Sequence, residues 1–272
     1  MDKIIPPVIA IRGAGDLASG VALRLYRAGF TRLVLLEMDH PLAVRRAVSF
    51  CEAVHHCRMT VEGVTARLVP STDSVADVWA TGEIAVLRDP AAMALPALHP
   101  EVLIDAIIAK RNLGTQISMA PLVIGLGPGF TAGGDVHKVV ETKRGHHLGR
   151  VIASGAAEPN TGVPGNIGGY TIERVYWAEQ DGAFTTLLNI GDTICAGDTL
   201  GMVNGRPVLA AISGVVRGLL RSGTPVCKRT KLADVDPRGA ASYCDEVSDK
   251  ALAVGGGVLE AISAHRFSRG AA

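Results

Sequence analysis

Residues 8–12, Val-Ile-Ala-Ile-Arg, form a short apolar run that stops at Gly13-Ala-Gly15-Asp16-Leu-Ala18. Helical periodicity follows, with Leu17, Val21, Leu25 and Ala28 near one face and Gly29 as a C-cap. Leu33-Val-Leu-Leu36 is the next strand, closed by Glu37. Strand, tight glycine turn, helix and strand in this order start a βαβ unit, which restricts the chain to an α/β fold with parallel pairing. Further strands are expected at 84–87, 102–108 and 121–126, after a helix at about 73–80. Their near-continuous apolar runs suit a sheet covered on both faces. The expected first domain is a Rossmann-like parallel sheet over residues 1–148.

The texture changes after residue 148, where Gly and Pro become frequent and short alternating strands follow. A second, all-β domain is expected over 149–244. It contains a repeat: Gly191, Ile194, Leu200 and Val203 recur at an offset of 32 as Gly223, Val226, Leu232 and Val235, with Cys195 and Cys227 in the same register. Two short-strand units related in this way resemble the barrel-sandwich of biotinyl and lipoyl carrier domains. The tip equivalent to the carrier hairpin reads Asn204-Gly-Arg-Pro207 and has no lysine, so a swinging arm is not expected. The segment 245–272 reads as a helix returning to the first domain. Gly255-Gly-Gly257 either breaks it or allows close packing, at a propensity cost of about 2–3 kcal/mol.

Composition excludes several classes. Apolar residues make up 48% of the 272 and charged residues 19%, which supports a sizeable core. A formal net charge of +1 and 4% aromatics argue against a nucleic-acid binder. No apolar run approaches a membrane span, and no leader pattern precedes the first strand. Five cysteines without disulfide-like density fit reduced thiols and a cytoplasmic setting.

The middle of the chain carries the chemistry. Gly13 and Gly15 match a dinucleotide fingerprint, in which the turn and the helix N-terminus receive pyrophosphate, and Glu37 stands where ribose hydroxyls are bound. Asp16 is an unfavourable neighbour for that phosphate unless it points away. Arg45 and Arg46 suit a 2′-phosphate or a solvated face equally. Lys110, Arg111 and Asn112 follow one predicted strand, and Gly127-Pro-Gly129 with Thr131 follows another, so both loops reach the edge where ligands bind. His137 and Glu141 would share a helix face at i, i+4, and His146 and His147 follow, but the spacing matches no known metal pattern. Polar pocket lining is the plainer account. Cys51, His55, His56 and Cys57 have zinc-ligand types without zinc spacing. Cys244 has acidic neighbours, which disfavour a thiolate.

Taken together, several motifs resemble one family. They are Gly13-Ala-Gly-Asp-Leu-Ala-Ser-Gly20, Asp105-Ala106 with Lys110-Arg-Asn-Leu-Gly-Thr115, and Gly125-Leu-Gly-Pro-Gly-Phe-Thr-Ala132. Glu141-Thr with Arg144-Gly-His146, Asn160-Thr-Gly-Val-Pro164, Asp234-Val-Asp-Pro-Arg-Gly239 and Ser248-Asp-Lys250 complete the set. The family is the YqeB-type accessory family of selenium-dependent molybdenum hydroxylases, similar in its first part to XdhC-type proteins. The resemblance implies a maturation factor that binds a molybdopterin-type molybdenum cofactor or a nucleotide. It also implies the hydroxylase apoenzyme as partner, and leaves a homo-oligomer open. It supplies no catalytic set and no metal. Expected contacts to the phosphorylated molecule are Gly13, Gly15, Asp16, Glu37, Lys110, Arg111, Asn112, Gly127, Gly129, Thr131, Arg144, His146 and Asn160. The residues leave two alternatives: an NAD(P)-dependent oxidoreductase, and a non-catalytic scaffold that docks on the hydroxylase.

Overall fold

The apolar runs do become strands, and their burial explains why. The computed structural model describes residues 5–270. The chain divides into two compact units: residues 1–41, 49–160 and 247–272 form the first, and 42–48 with 161–246 form the second.

The strands of the first unit are β1 (Ile9–Arg12), β2 (Leu33–Glu37), β3 (Arg58–Val61), β4 (Val64–Val69), β5 (Ile84–Arg88), β6 (Val102–Asp105), β7 (Leu122–Leu126), β8 (Thr131–Ala132), β9 (Lys138–Val140), β10 (Val151–Ile152) and β11 (Gly155–Ala156). Its helices are α1 (Asp16–Arg27), α2 (Ala53–His56), α3 (Val75–Ala80), α4 (Leu95–Leu98) and α5 (Asp249–Gly270). Nine strands form one sheet in the order β10-β9-β7-β6-β1-β2-β5-β4-β3. The strands from β9 to β4 run parallel, whereas β10 and β3 pair antiparallel with their neighbours. β8 and β11 form a separate ribbon.

Alternate residues of the central strands face opposite sides of the sheet. Ala10, Val34, Ala85, Leu103 and Val123 join a core cluster with Val75 and Val78 of α3 and Leu95 and Leu98 of α4. Ile9, Ile11, Leu33, Leu35, Ile104 and Leu122 alternate with them and are also buried. α5 packs on α1, β7, β9 and β10. With both faces covered, the central strands need no polar face, hence their unbroken runs.

The second unit comprises β12 (Val175–Trp177), β13 (Gly182–Thr185), β14 (Thr193–Ile194), β15 (Thr199–Val203), β16 (Arg206–Leu209), β17 (Gly214–Leu219), β18 (Thr224–Val226) and β19 (Lys231–Asp236). These strands make two antiparallel sheets, β12-β19-β17-β14 and β16-β15-β13-β18. The offset of 32 has a structural meaning. β14 and β15 recur as β18 and β19, but each copy sends one strand into each sheet. Ile194, Val226, Leu200, Leu232, Val203 and Val235 all enter one core cluster. The turns repeat too: Asp198 N–H donates to Cys195 O at 3.1 Å, and Thr230 N–H to Cys227 O at 2.9 Å.

Two fold expectations need correction. The large sheet is mixed, not the all-parallel sheet of a Rossmann-like domain, because the β3–β4 hairpin and β10 add antiparallel edges. The second unit is a pair of open four-stranded sheets, with no strand pairing between them among the described residues, and not a biotinyl/lipoyl-type barrel.

α5 runs unbroken through Gly255, Gly256 and Gly257 because neighbouring backbone comes very close. A Cβ on Gly255 would lie 3.2 Å from Gly20 O and 3.0 Å from Arg24 Cβ, and one on Gly257 would overlap Gly149 O. One on Gly20 would sit 2.6 Å from Ala251 Cβ. Gly256 is different, since its Cβ would meet only the far end of Arg24 at 3.7 Å. Gly257→Ala is therefore expected to destabilise by about 1–3 kcal/mol through overpacking. Gly256→Ala should be neutral or stabilising by up to about 1 kcal/mol through helix propensity. Urea unfolding of the two variants checks both, and equal effects would refute the close-approach account.

Candidate functional site

Successive parallel strands end on one edge of the large sheet, so Arg12, Glu37, Arg88, Asp105, Leu126 and Val140 all deliver their following loops there. Arg12 and Asp105 are register partners at the ends of β1 and β6. Their side chains form a buried ion pair at 3.3 Å, with 6% and 2% of each side chain exposed. Asp105 accepts a further bond from Thr115 Oγ1 at 2.6 Å and one from Ile107 N–H at 3.2 Å. Arg12 also donates to Thr115 Oγ1, to Leu113 O at 3.3 Å and to Pro90 O at 3.4 Å. Both ends of the segment 106–115 are thereby fixed to one guanidinium–carboxylate pair. Arg12 carried no functional signal in the sequence, where it was the last residue of an apolar run. An arginine ending a strand, opposite an aspartate ending its neighbour, is the pattern that would have revealed it.

The fixed segment holds two non-glycine residues in left-handed backbone, Ile108 at φ 60° and Lys110 at φ 63°. The Asn112 side chain is engaged by its own turn. Its amide accepts from Thr115 N–H and donates to Thr115 O, both at 2.8 Å, bracketing the turn. The backbone of Arg111 lies against Gly129, where a Cβ would come within 2.7 Å of Arg111 N. The Lys110-Arg111 loop and the Gly127-Pro-Gly129 loop are therefore stacked. Gly127 N–H is used by Val140 O at 2.8 Å, and a side chain there would overlap Thr142.

Glu141 is buried beside these loops. Its carboxylate accepts from the backbone N–H groups of Thr142, Lys143 and Glu158, each at 2.7 Å. Lys110 is exposed in area and makes no hydrogen bond or ion pair among the described residues, and the same holds for Arg111. Loss of hydration lowers the pKa of the Lys110 ammonium, with the charge of Glu141 opposing the shift.

The other predicted positions separate. Gly13 has φ 95° and donates to Leu36 O at 2.7 Å, and its close approach is to the chain's own Ala106 O. Gly15 is the N-cap of α1 and faces open space. Glu37 folds back on the glycine turn, accepting from Ala14 N–H at 2.8 Å and Met38 N–H at 2.7 Å. Burial raises the Glu37 pKa, partly offset by those two amides. Asp16, in the first turn of α1, has a buried Oδ1 with no hydrogen-bond partner among the described residues. Thr131 starts β8, and its N–H is bound by Asp135 at 2.9 Å. Arg144 is held in a bidentate pair with Asp249 at 2.6 and 2.7 Å. His146 is exposed and stacks edge-on against His147, with ring centroids 5.3 Å apart. Asn160 is exposed at the end of the long central segment of the first unit.

His137 and Glu141 flank strand β9, so they do not share a helix face. His137 Nδ1 accepts from Val123 N–H at 2.9 Å, and burial, His265 and Lys138 all lower its pKa. Among the described residues, no three His, Cys, Asp or Glu side chains are grouped to hold a metal. Arg45 and Arg46 belong to the second unit, where they donate to Tyr243 O and Glu246 O, and to Leu219 O. Cys244 is buried there, and burial pushes its thiol pKa up. Two cavities stand apart from all these positions. One of about 760 Å³ lies among Leu95, His99, Met119 and Pro121, and one of about 900 Å³ among Tyr176, Trp177, Arg206 and Leu209.

The motif Asp234-Val-Asp236-Pro-Arg238-Gly239 forms an ion network inside the second unit. Asp234 pairs with Arg174 at 2.8 Å and Arg217 at 3.0 Å, and Asp236 with Arg217 at 3.1 Å and Arg238 at 2.6 Å. Burial alone would raise the Asp234 pKa, but Lys231, Arg217 and Arg174 outweigh it and bring it from 3.8 to about 2.

No protein-family model matches the chain. The chain is 50% identical over 255 residues to the uncharacterized protein YqeB of Escherichia coli (strain K12), across 94% of this chain and 47% of that protein. It thus spans about half the length of the curated relative it matches. The similarity agrees with the YqeB label of the motif resemblance and carries no role and no link to XdhC-type proteins. Among solved structures, the chain is similar to an aspartoacylase family protein from Mesorhizobium loti, at 12% identity and TM-score 0.28, over 85% of each chain. It is similar to a succinylglutamate desuccinylase/aspartoacylase from Rhodobacter sphaeroides, at 15% identity and TM-score 0.25, over 85% of each chain. The third is the product-bound ectoine utilization protein EutE (DoeB) from Ruegeria pomeroyi, at 11% identity and TM-score 0.23, over 84% of this chain and 56% of that one. Scores this low assign this chain no activity.

None of these structures is named for molybdenum, selenium or nicotinamide chemistry. Neither the similarity to YqeB nor these structures supports the expected maturation factor for a molybdenum hydroxylase, the oxidoreductase or the docking scaffold, and that expectation is withdrawn. The nicotinamide reading also has a physical obstacle. The turn amide that would meet pyrophosphate already holds Glu37, and Asp16 adds a second carboxylate beside it. No described helix is long and apolar enough to cross a membrane.

Three outcomes follow from the ion pairs. Asp105→Ala leaves Arg12 buried without its counter-charge and is expected to cost about 3–5 kcal/mol in denaturant unfolding. Thr115→Val, which removes one hydroxyl, should cost about 1 kcal/mol. The native pKa of Asp234 lies below its unfolded value, so its contribution to stability is complete above pH 3.8 and is lost as pH falls through about 2. Asp234→Asn should therefore flatten this acid limb, followed by Trp177 fluorescence in a Trp79→Phe background.

Proposed function

We propose that the first unit binds a small carboxylate-bearing molecule at the carboxyl edge of its sheet, with Lys110 and Arg111 as the charged contacts. The observation that carries this reading is the loop after β6. It keeps two residues in left-handed backbone, a conformation that costs about 1–3 kcal/mol per residue and persists only where its surroundings impose it. The surroundings here are the Arg12–Asp105–Thr115 cluster at one end of the loop and the stacked Gly129 loop at the other. Strain of this kind concentrates at binding and catalytic segments.

Charge favours a compact anion. Lys143 is paired with Glu158, and Arg144 with Asp249, which leaves Lys110 and Arg111 as the cations of these loops without a protein partner among the described residues. A guanidinium suits a carboxylate through two parallel hydrogen bonds, and an ammonium adds a point charge beside it. The glycine turn, with Glu37 and Asp16, is a poor place for a second anion. One mono- or dicarboxylate matches this distribution.

Glutarate is a suitable probe. Calorimetric titration should detect binding, and Lys110→Met should weaken it by about tenfold or more, the value of one charge-assisted hydrogen bond. Affinity requires the ammonium form, so it should decline as pH rises, starting below the range set by the ordinary lysine pKa of 10.5. Absence of binding by a panel of mono- and dicarboxylates, or unchanged affinity in a folded Lys110→Met protein, overturns the assignment.

A further inference from the structure

We propose that the cavity of about 900 Å³ in the second unit binds a small planar aromatic molecule carrying one anionic group, with Trp177 against the ring and Lys228 beside the charge. The inference is independent of the reading given to the large sheet's carboxyl edge.

The cavity lies along the open edges of the two sheets. Among the described residues β12 pairs only with β19, and β16 only with β15, and residues of both edge strands line the cavity. Two side-chain bonds tie these edges together. The Tyr176 hydroxyl accepts from the N–H of Ala211, just after β16, at 3.0 Å. Gln180 Nε2, just after β12, donates to Val203 O of β15 at 2.9 Å. Tyr176 and Val203 also belong to the core cluster, so the lining is a fixed wall. The volume is that of an ordinary site for a small organic molecule.

Trp177 is the side chain on this wall without a structural role. The β12–β19 register shifts between Tyr176 and Trp177, an irregularity of the kind that re-aims a side chain. Trp177 is 46% exposed, and Leu209 and Ile172, which line the same cavity, are 53% and 60% exposed. The indole N–H of Trp79 donates to Leu33 O at 2.8 Å, whereas that of Trp177 has no partner among the described residues. A ring stacked on the indole would cover this apolar rim and leave the N–H able to donate.

The edges themselves resist an added strand. β12 is only three residues long. In the β15–β16 hairpin, Asn204 and Gly205 have φ 51° and 79°, as a tight two-residue turn requires. The flanking pair Val203–Arg206 then exchanges both backbone bonds, and Pro207, one residue on, turns its nitrogen to the open edge. That nitrogen has no hydrogen to offer. Short edge strands and edge prolines disfavour strand addition, so the occupant is held by side chains. Charge sets its sign. Of the four charged residues lining the cavity, Arg206 pairs with Glu179 at 2.8 Å, and the Glu173 carboxylate accepts from Thr171 N–H at 2.9 Å. The Lys228 ammonium has no hydrogen bond or ion pair among the described residues, which leaves a positive charge to be matched.

Calorimetric titration of the full chain with 2-naphthoate, 2-naphthamide and cyclohexanecarboxylate tests the assignment. The naphthoate should bind most tightly. Trp177→Ala should weaken it about tenfold, through the lost stacking. Trp177→Phe should keep most of the affinity. Lys228→Met should weaken the naphthoate about threefold, as for an exposed ion pair, and leave the neutral amide unchanged. Lys110→Met should not change naphthoate binding, which separates this site from the one at the sheet edge. Both Trp177 and Lys228 are exposed, so their variants are expected to fold, and circular dichroism checks that they do. No naphthoate binding, equal binding of all three probes, or unchanged affinity in folded Trp177→Ala overturns the inference. Glutarate binding that survives any of these results leaves the reading of the sheet edge intact.

Discussion

The carboxyl edge of the large sheet depends on one buried ion pair. Arg12 and Asp105 sit opposite each other in register at the ends of two adjacent parallel strands. A buried pair is not a stabilising device by default, because two charges must lose their water. This one is tolerated because the remaining hydrogen-bonding capacity is largely filled. Thr115 and the Ile107 amide complete the aspartate, and the carbonyls of Pro90 and Leu113 complete much of the guanidinium. Those partners come from the segments after β5 and β6, so satisfying the charges also sets the course of the chain. The left-handed turn at Lys110 and the stacking of Gly129 on Arg111 follow from that anchoring. Removing either charge would leave its partner buried and release the loop together.

A second carboxylate explains why a glycine signature need not mean a bound phosphate. In the first βα turn, the amide of Ala14 and the amide of Met38 converge on Glu37. The protein thus supplies its own anion at the place where a dinucleotide would bring one. The same glutamate that suggests a ribose contact in the sequence closes the turn in the structure. Gly13 remains necessary, because its left-handed backbone runs against Ala106 and a side chain there would meet that carbonyl at 3.1 Å. The glycine serves chain-to-chain packing here, and sequence pattern alone does not separate this use from a ligand's approach.

Much of the framework was legible because burial leaves a simple trace. The strands Ile9–Arg12, Leu33–Glu37, Ile84–Arg88 and Leu122–Leu126 are covered on both faces, and apart from Gly125 and the charged residues that end the first three, their residues are apolar. The offset of 32 was legible for a similar reason, since the six repeated apolar residues fill one core. Non-local choices left no such trace. Arg12 finds Asp105 across 93 positions of sequence, and nothing local marks either as a partner. The antiparallel edges were invisible because alternation indicates a face and not a direction, so a parallel sheet was expected. The strand β6 was read three residues too long, since Ala106, Ile107 and Ile108 remain apolar after the chain has turned away. The segment 42–48 leaves the first unit altogether, with Val44 accepting from Leu219 N–H at 2.8 Å. At the candidate site, the placement of two loops at one edge was readable from the strands before them. The engagement of Asn112, Arg144 and Glu37 by the protein itself was not, because each finds its partner only in three dimensions.

The distribution of charge at that edge argues about specificity. Most ionic groups there are neutralised within the chain: Arg12 by Asp105, Arg144 by Asp249, Lys143 by Glu158, and Glu141 by backbone amides. Internal pairing of these groups goes with the chain's net charge of only +1. What remains is short-range, two adjacent cations on a rigid turn. Under the proposed reading such a site discriminates by geometry, because an anion gains only if its charged group meets both cations on the rigid turn. A large phosphorylated ligand at this edge would meet the acidic glycine turn of Glu37 and Asp16, so under the proposed reading the same edge that favours a compact carboxylate works against a polyphosphate.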